Sequence, residues 1–315
     1  MSDLPELAPE VRAALDAGRP VVALESTIIS HGLPRPANLA AAREFEEILN
    51  SQGATPATIA LIDGVPKAGL TPAELERVAF GEDVVKVSSR DLGMAIAAKR
   101  TAGTTVAATA RLAAKAGIRV FATGGLGGVH RGASQSFDES GDLAVLARTP
   151  ITVVSAGVKS LLDIPATLER METLGIPVVG FRTSRFPAFW LSDSGHDLDW
   201  RVESADEIAA IMAARESLGD TSALVVANPV SPDKQLDPAL HDQVLADALN
   251  AAHDVHGKDV TPFLLDFIHR TTHGRSLEVN LDLVRGNIGV GAAIATAWAA
   301  QDPRADRENG PSSRS

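Results

Sequence analysis

An α/β fold, with a mainly parallel sheet and helices on both faces, is the class this sequence predicts. Three observations point there. Short apolar runs alternate with amphipathic stretches of helical period through most of the chain. Several runs are almost unbroken Val, Ile, Ala and Leu, as in strands covered on both faces. Glycines stand where helical stretches should stop. In chain order, Pro20–Ser26 (PVVALES) reads as the first strand, followed by a helix over Leu39–Leu49 that Gly53 closes. Ala57–Asp63 is the second strand. Thr71-Pro72-Ala73-Glu74 is a capping box with proline at the first helical position, so a helix begins there and ends near Phe80-Gly81. Val84–Ser88 is a strand, Thr105–Ala116 a helix closed by Gly117, Arg119–Thr123 a strand and Asp142–Ala147 a short helix. Ile151–Ser155 and Pro177–Phe181 are strands on either side of a helix over Ser160–Leu174 closed by Gly175. Ser204–Leu218, closed by Gly219, leads to the last strand, Ser222–Ala227. After Pro229 only helices remain, over Pro238–His253, Thr261–Thr272 and Ser276–Ala300, expected to pack over one end of the sheet.

With 315 residues and 45% hydrophobic content the chain can bury one large core, and a single domain over residues 1–301 is expected. The polar tail 302–315, punctuated by Pro and Gly, is expected to be disordered. The 40 acidic residues outnumber the 29 Lys and Arg, for a net charge of −11. That surface disfavours nucleic acid or an anionic membrane as partner but leaves room for a local phosphate pocket. No apolar run reaches transmembrane length and Met1–Pro9 has no signal-peptide character, so a cytoplasmic location is expected. The absence of cysteine excludes disulfides, thiolate metal sites and cysteine catalysis. No tyrosine and 4% aromatic residues leave little to stack single-stranded nucleic acid.

The chemistry concentrates at strand ends. ITVVSAGVK (Ile151–Lys159) reads as a buried strand delivering Lys159 to its carboxyl end, where open α/β sheets bind ligands. A partly desolvated amine there can attack a sugar carbon; the plain alternative is a lysine snorkelling to water. Lys86, on Asp83–Ser89, adds a second cation, and two converging lysines depress each other's pKa. Glu25 ends VVALE and is either an active-site carboxylate or a solvated strand end, while His31 reads as a turn residue. Around Gly103-Thr104-Thr105-Val106 a helix start offers either a phosphate seat, with Lys86 as counter-charge, or a simple threonine cap. GGLGGVHRG brings four glycines in five residues ahead of His130 and Arg131, and fits neither a dinucleotide fingerprint nor a P-loop. Asp138 and Asp142 lie four apart; in one helical turn they would share a face and hold a hard divalent cation, or else be an acidic helix start. Asn228 follows a strand, and Asn280 lies on a largely apolar helix where a satisfied structural amide is the default.

Together VALESTIISHGLPRP, KVSSRDL, TTVAAT, FATGGLGGVHRGA, SFDESGDL, SAGVKSLLD, VVANP and TPFLL resemble the pseudouridine-5'-phosphate glycosidase family, also known as the indigoidine synthase A family, from about Leu4 to Ala300. The resemblance implies a three-layer α/β/α fold with a mostly parallel mixed sheet and a homotrimer. It also implies one Mn²⁺ per subunit and reversible cleavage of pseudouridine 5'-phosphate to uracil and ribose 5-phosphate, a lyase activity on a C–C glycosidic bond. Carried over by motif, Lys159 is implied as nucleophile and Glu25 as proton donor. Lys86, Val106 (through its backbone), Ser140, Gly141 and Asp142 are implied as substrate contacts, His130 and Asn280 as further site residues, and Asp138 as the metal ligand. Gly141 departs from relatives that carry alanine. Two other readings use the same residues: a lysine-dependent sugar-phosphate aldolase or isomerase, and a non-catalytic metabolite-binding subunit.

Overall fold

The computed structural model describes residues 5–252 and 260–301. Strand β1 (Glu6–Leu7) and helix α1 (Pro9–Asp16) lead into β2 (Val21–Leu24), all four of whose residues are buried, and a single π-helical turn (Ile28–Gly32) follows before α2 (Ala37–Ser51). Next come β3 (Thr55–Ile62), β4 (Val65–Ala68) and α3 (Pro72–Phe80), where the Thr71–Glu74 capping box forms as the sequence requires. β5 (Val85–Val87), α4 (Leu92–Ala97), β6 (Ala102–Thr104), α5 (Val106–Lys115) and β7 (Val120–Ala122) complete the first half. The second half runs through α6 (Ala133–Ser136), α7 (Gly141–Leu146), β8 (Thr152–Ser155), α8 (Ile164–Thr173), β9 (Val178–Phe181), β10 (Arg201–Val202), α9 (Ala205–Leu218) and β11 (Leu224–Ala227). Three helices close the chain: α10 (Pro238–Ala251), α11 (Val260–Thr271) and α12 (Arg275–Ala299). The tail from Asp302, and the last residue of the helix expected to reach His253, lie outside the described residues.

The strands run β1-β4-β3-β2-β7-β8-β11-β9-β10, with β6 branching from β3 and β5 pairing β6. Every pairing is parallel except those of β3 with β4 and β6, so the sheet is mixed and mostly parallel, with helices packed around it. β3 is long enough to pair with β2 through its first half and with β4 and β6 through its second. A parallel order puts the carboxyl ends of β2, β7, β8 and β11 side by side on one rim. Residues just beyond those ends are Glu25, Thr123, Ala156 and Asn228.

Of the C-terminal block, packed on the sheet as expected, α12 runs along β2, β7 and β8, flanked by α2 and α9, rather than over one end. Its close approach depends on Gly291, where an added Cβ would lie 3.2 Å from the Ala122 side chain. A second departure is at α8, expected from Ser160 but beginning at Ile164. The Asp163 side chain caps it by accepting from Ala166 N (3.1 Å). Residues 160–163 are held instead as a loop, with Leu162 N donating to Lys159 O and Asp163 N to Val129 O (both 2.9 Å).

Candidate active site

Glu25 stands half-buried just past the carboxyl end of β2, and its Oε1 accepts a 2.5 Å hydrogen bond from Thr123 Oγ1. Burial dominates its titration and pushes the carboxyl above the usual glutamate range. The Lys159 cation, the Thr123 hydroxyl and Lys86 pull it down, and Asp142 adds to the rise. Lys86, on β5, keeps water access at the mouth, yet enough protein surrounds its amine that desolvation, followed by repulsion from Lys159, draws it below the ordinary lysine range. Lys159, Lys86, Glu25 and Asp142 thus share one electrostatic field.

The Lys159 loop is fixed from two sides. On one, Ala156 N donates to Gly124 O (2.9 Å), Leu126 N to Gly157 O (2.9 Å) and Lys159 N to Leu126 O (3.2 Å), so the glycine-rich segment runs beside it. On the other, Phe189 N donates to Ala156 O (3.0 Å) and Ser160 Oγ to Ala188 O (2.5 Å). Phe189 holds a left-handed backbone, φ 61°, which for an aromatic residue stores strain. Its ring lies where a Cβ on Gly125 would be, 2.6 Å away. Gly157, at φ 77°, packs against the Pro187 carbonyl with no room for a side chain.

At the start of α5 the two sequence readings can be separated. Thr105 is the cap, accepting from Ala108 N, and Ala107 N donates to Asp142 Oδ1 (2.9 Å). Asp142 Oδ2 accepts from Gly127 N (2.9 Å), so one buried carboxylate pins the helix to the glycine loop. The N-terminus that the sequence offers as either a phosphate seat or a threonine cap is thereby largely satisfied by the protein itself, leaving the Val106 N–H as what it still offers. Ser140 N donates to Gly128 O, and Ser140 Oγ accepts from Asp142 N, which caps α7 beside Gly141.

Asp138 and Asp142 do not share a helical turn. Gly132 and Phe137 both take left-handed conformations at the ends of α6, and the chain stays extended at Ser140 before α7 begins, so Asp138 precedes the helix while Asp142 lies within it. Asp138 instead approaches His130, with Nδ1 to Oδ2 at 3.9 Å and His130 N donating to Asp138 O (3.0 Å). No group of three or more metal-binding side chains occurs among the described residues. What Asp138 offers is a single hard anionic oxygen, a donor set that suits a divalent ion keeping most of its waters.

On α12 Asn280 faces the glycine loop, its Oδ1 3.4 Å from where a Cβ on Gly124 would be. His31, in the π-helical turn, bonds Ser30 Oγ through Nδ1 (2.8 Å), as a turn histidine should; burial and then Lys86 hold it below the usual imidazole range. Two clefts elsewhere, about 290 Å³ beside Arg119 and Trp298 and about 680 Å³ beside Glu172 and Trp200, include none of these groups. Sequence reasoning passed over Thr123, although it ends a strand as Glu25 does. It also passed over Asn287, seven residues after Asn280 and so on the same helical face. Nothing local marks Phe189.

The family model described as indigoidine synthase A like protein matches residues 10–297. The chain belongs to the indigoidine synthase A-like family. A Frankia alni relative named pseudouridine-5'-phosphate glycosidase is 63% identical over 294 residues, covering 93% of this chain and 81% of the relative. One of the same name from Saccharopolyspora erythraea is 59% identical over 298 residues, covering 94% and 98%. Among solved structures, the prealnumycin C-glycosynthase AlnA in complex with ribulose 5-phosphate superposes with TM-score 0.88 at 33% identity, covering 94% of this chain and 97% of that one. An indigoidine synthase A-like protein of Thermotoga maritima gives 0.85 at 36%, covering 93% and 96%. Membership makes the chain an enzyme of this family, and no helix among its described residues is long and apolar enough to cross a membrane.

Proposed function

We propose that this enzyme reversibly cleaves the C–C glycosidic bond of pseudouridine 5'-phosphate to uracil and ribose 5-phosphate through a lysine imine. The observation that carries the reading is the shared field of Lys159, Lys86 and a Glu25 whose burial favours the protonated acid. The names of the relatives and the pentose phosphate in AlnA support it.

A C–C glycoside has no leaving oxygen on the base, so the two-carboxylate glycosidase scheme does not transfer. Lys159 Nζ, as free amine, attacks C1'; the C1'–O4' bond breaks and O4' takes a proton from Glu25. The nitrogen, now an ammonium, returns a proton to the Glu25 carboxylate and regains its lone pair; that proton is passed to uracil C5, and the electrons of the C1'–C5 bond restore the C5=C6 double bond. The nitrogen lone pair meanwhile forms C1'=N. Water hydrolyses that imine, freeing ribose 5-phosphate and the amine. Lys86 and the Val106 N–H bind the phosphate, while Ser140, Gly141, His130 and Asn280 line the rest of the substrate's path. Asp138 would hold the Mn²⁺-type ion, whose chemistry is to orient and polarise an oxygen of the substrate through its waters.

The test is turnover of pseudouridine 5'-phosphate by pure protein with borohydride present. Uracil should appear, and a pentose phosphate adduct should map to the Lys159 peptide. Lys159→Ala and Lys159→Arg should trap none, since guanidinium stays protonated. Absence of uracil release, or an adduct on Lys86, overturns the reading.

A further inference from the structure

Asn287 is a completely buried amide on α12, with Leu283, Val284 and Gly291 as its buried neighbours three and four residues away. Such a group is costly unless satisfied, and here it is. Its Nδ2 donates to Thr123 O (2.7 Å) and, more distantly, to Gly124 O (3.3 Å), while its Oδ1 accepts from Asn228 Nδ2 (2.9 Å). Carbonyl oxygens only accept, so the orientation of this amide is fixed by its partners. Asn228 N in turn donates to Ser155 O (2.9 Å), and Gly124 O also takes Ala156 N (2.9 Å). One side chain therefore bridges the carboxyl ends of β7 and β11, and the residues it holds there are each bonded through the main chain to the end of β8 between them. Two of the tied residues lead straight to the reacting groups: Thr123 donates to Glu25, and Ala156 opens the Lys159 loop.

We propose that Asn287 is a positioning residue for the reaction, fixing Glu25 and the Lys159 loop relative to one another through the Thr123 and Gly124 carbonyls. This deepens the proposed function and rests on it for the roles of Glu25 and Lys159. The groups that act on Glu25 are Lys159 after β8, Lys86 on β5, Asp142 on α7 and the Thr123 hydroxyl. Only the last is bonded to Asn287, through its own main-chain carbonyl.

The experiment uses the full chain and measures kcat and KM against pH with borohydride trapping for Asn287→Leu, Asn228→Ala and Ile288→Ala. Asn287→Leu should lower kcat by about 10²-fold, the cost of a misplaced reacting group, with KM within about threefold. Its alkaline limb should move upward, because the hydroxyl that restrains the Glu25 carboxyl is no longer held. Asn228→Ala should shift both in the same direction, by about tenfold in kcat. Ile288→Ala truncates a fully buried neighbour and should lower Tm while leaving the limb in place. A folded Asn287→Leu with wild-type kcat and limb overturns the proposal, as does an equal limb shift in Ile288→Ala. Should Asn287→Leu fail to fold, an unmoved limb and kcat in Asn228→Ala overturn it. Failure of the imine reading shows separately, as the absence of a Lys159 adduct in the wild-type enzyme.

Discussion

Lys86 and Lys159 are one residue type in one field, and their settings divide the labour. Lys159 hangs from a loop bonded on both sides, whereas Lys86 stands on a short strand at the open mouth, its amine pulled down by burial and by Lys159. An anionic phosphate would relieve that repulsion. Lys86→Met should therefore shrink the preference for pseudouridine 5'-phosphate over the unphosphorylated nucleoside by about 10- to 100-fold, a charge-assisted hydrogen bond being worth roughly 1.5–3 kcal/mol. The borohydride adduct should still form on Lys159. An unchanged ratio of kcat/KM values for the two substrates would remove Lys86 from phosphate binding. At Asp138 a lone carboxylate near His130 is a sparse donor set, which suits a small hard ion retaining waters. Chelation should abolish or strongly reduce activity, Mn²⁺ should restore it better than Ca²⁺, and Asp138→Ala should behave like the chelated enzyme. Full activity of that variant in metal-free buffer would count against the ion.

Among elements, the segment Phe186–Trp190 has the most to do for its length. It carries no titratable group, yet it sets the shape of the Lys159 loop through the Phe189 N–H, the Ala188 carbonyl and the ring against Gly125. Gly157→Ala would drive a Cβ into the Pro187 carbonyl at a left-handed backbone, and Phe189→Leu would remove the wedge. Both should cut the rate of adduct trapping by about 10²-fold while KM moves little; trapping at the wild-type rate in either would mean the loop finds its shape unaided. Sequence periodicity could not show this. It placed the strands that carry or lead to Glu25, Lys86 and Lys159, because buried parallel strands are largely apolar and glycines such as Gly219 (φ 73°) close the helices. It missed β1, β4, β6 and β10 because none carries an unbroken apolar run: Glu6, Pro66 with Lys67, Gly103 and Arg201 interrupt them, so their pairing partners rather than a pattern fix them. It also ran α8 four residues too far back, reading Ser160 as helical when its hydroxyl was needed by the Ala188 carbonyl.

At the scale of the whole molecule, one buried apolar cluster extends from Val11 to Ala295, and the reacting groups stand on its rim. The strand-end rule made Glu25 legible, but whether its carboxyl is a solvated end or a desolvated acid depends on packing that sequence does not display. That packing has a stability consequence. Burial raises the folded-state pKa of Glu25 above the ordinary glutamate value of 4.5, so from that pH upward the folded chain holds this proton more tightly than the unfolded chain does. Stability contributed at this position is therefore undiminished below pH 4.5 and is lost progressively as pH rises through the folded-state pKa. Glu25→Gln keeps the shape and the Thr123 contact but cannot ionise. It should be inactive, and its Tm relative to wild type should rise between about pH 4 and neutral pH, by a few degrees at most for a chain of this size. The measurement is thermal unfolding of both proteins across that range in one buffer series. A Tm difference that stays flat or falls as pH rises would show that Lys159 and Lys86 together outweigh desolvation, and that Glu25 is held ionised rather than as the acid the reaction needs.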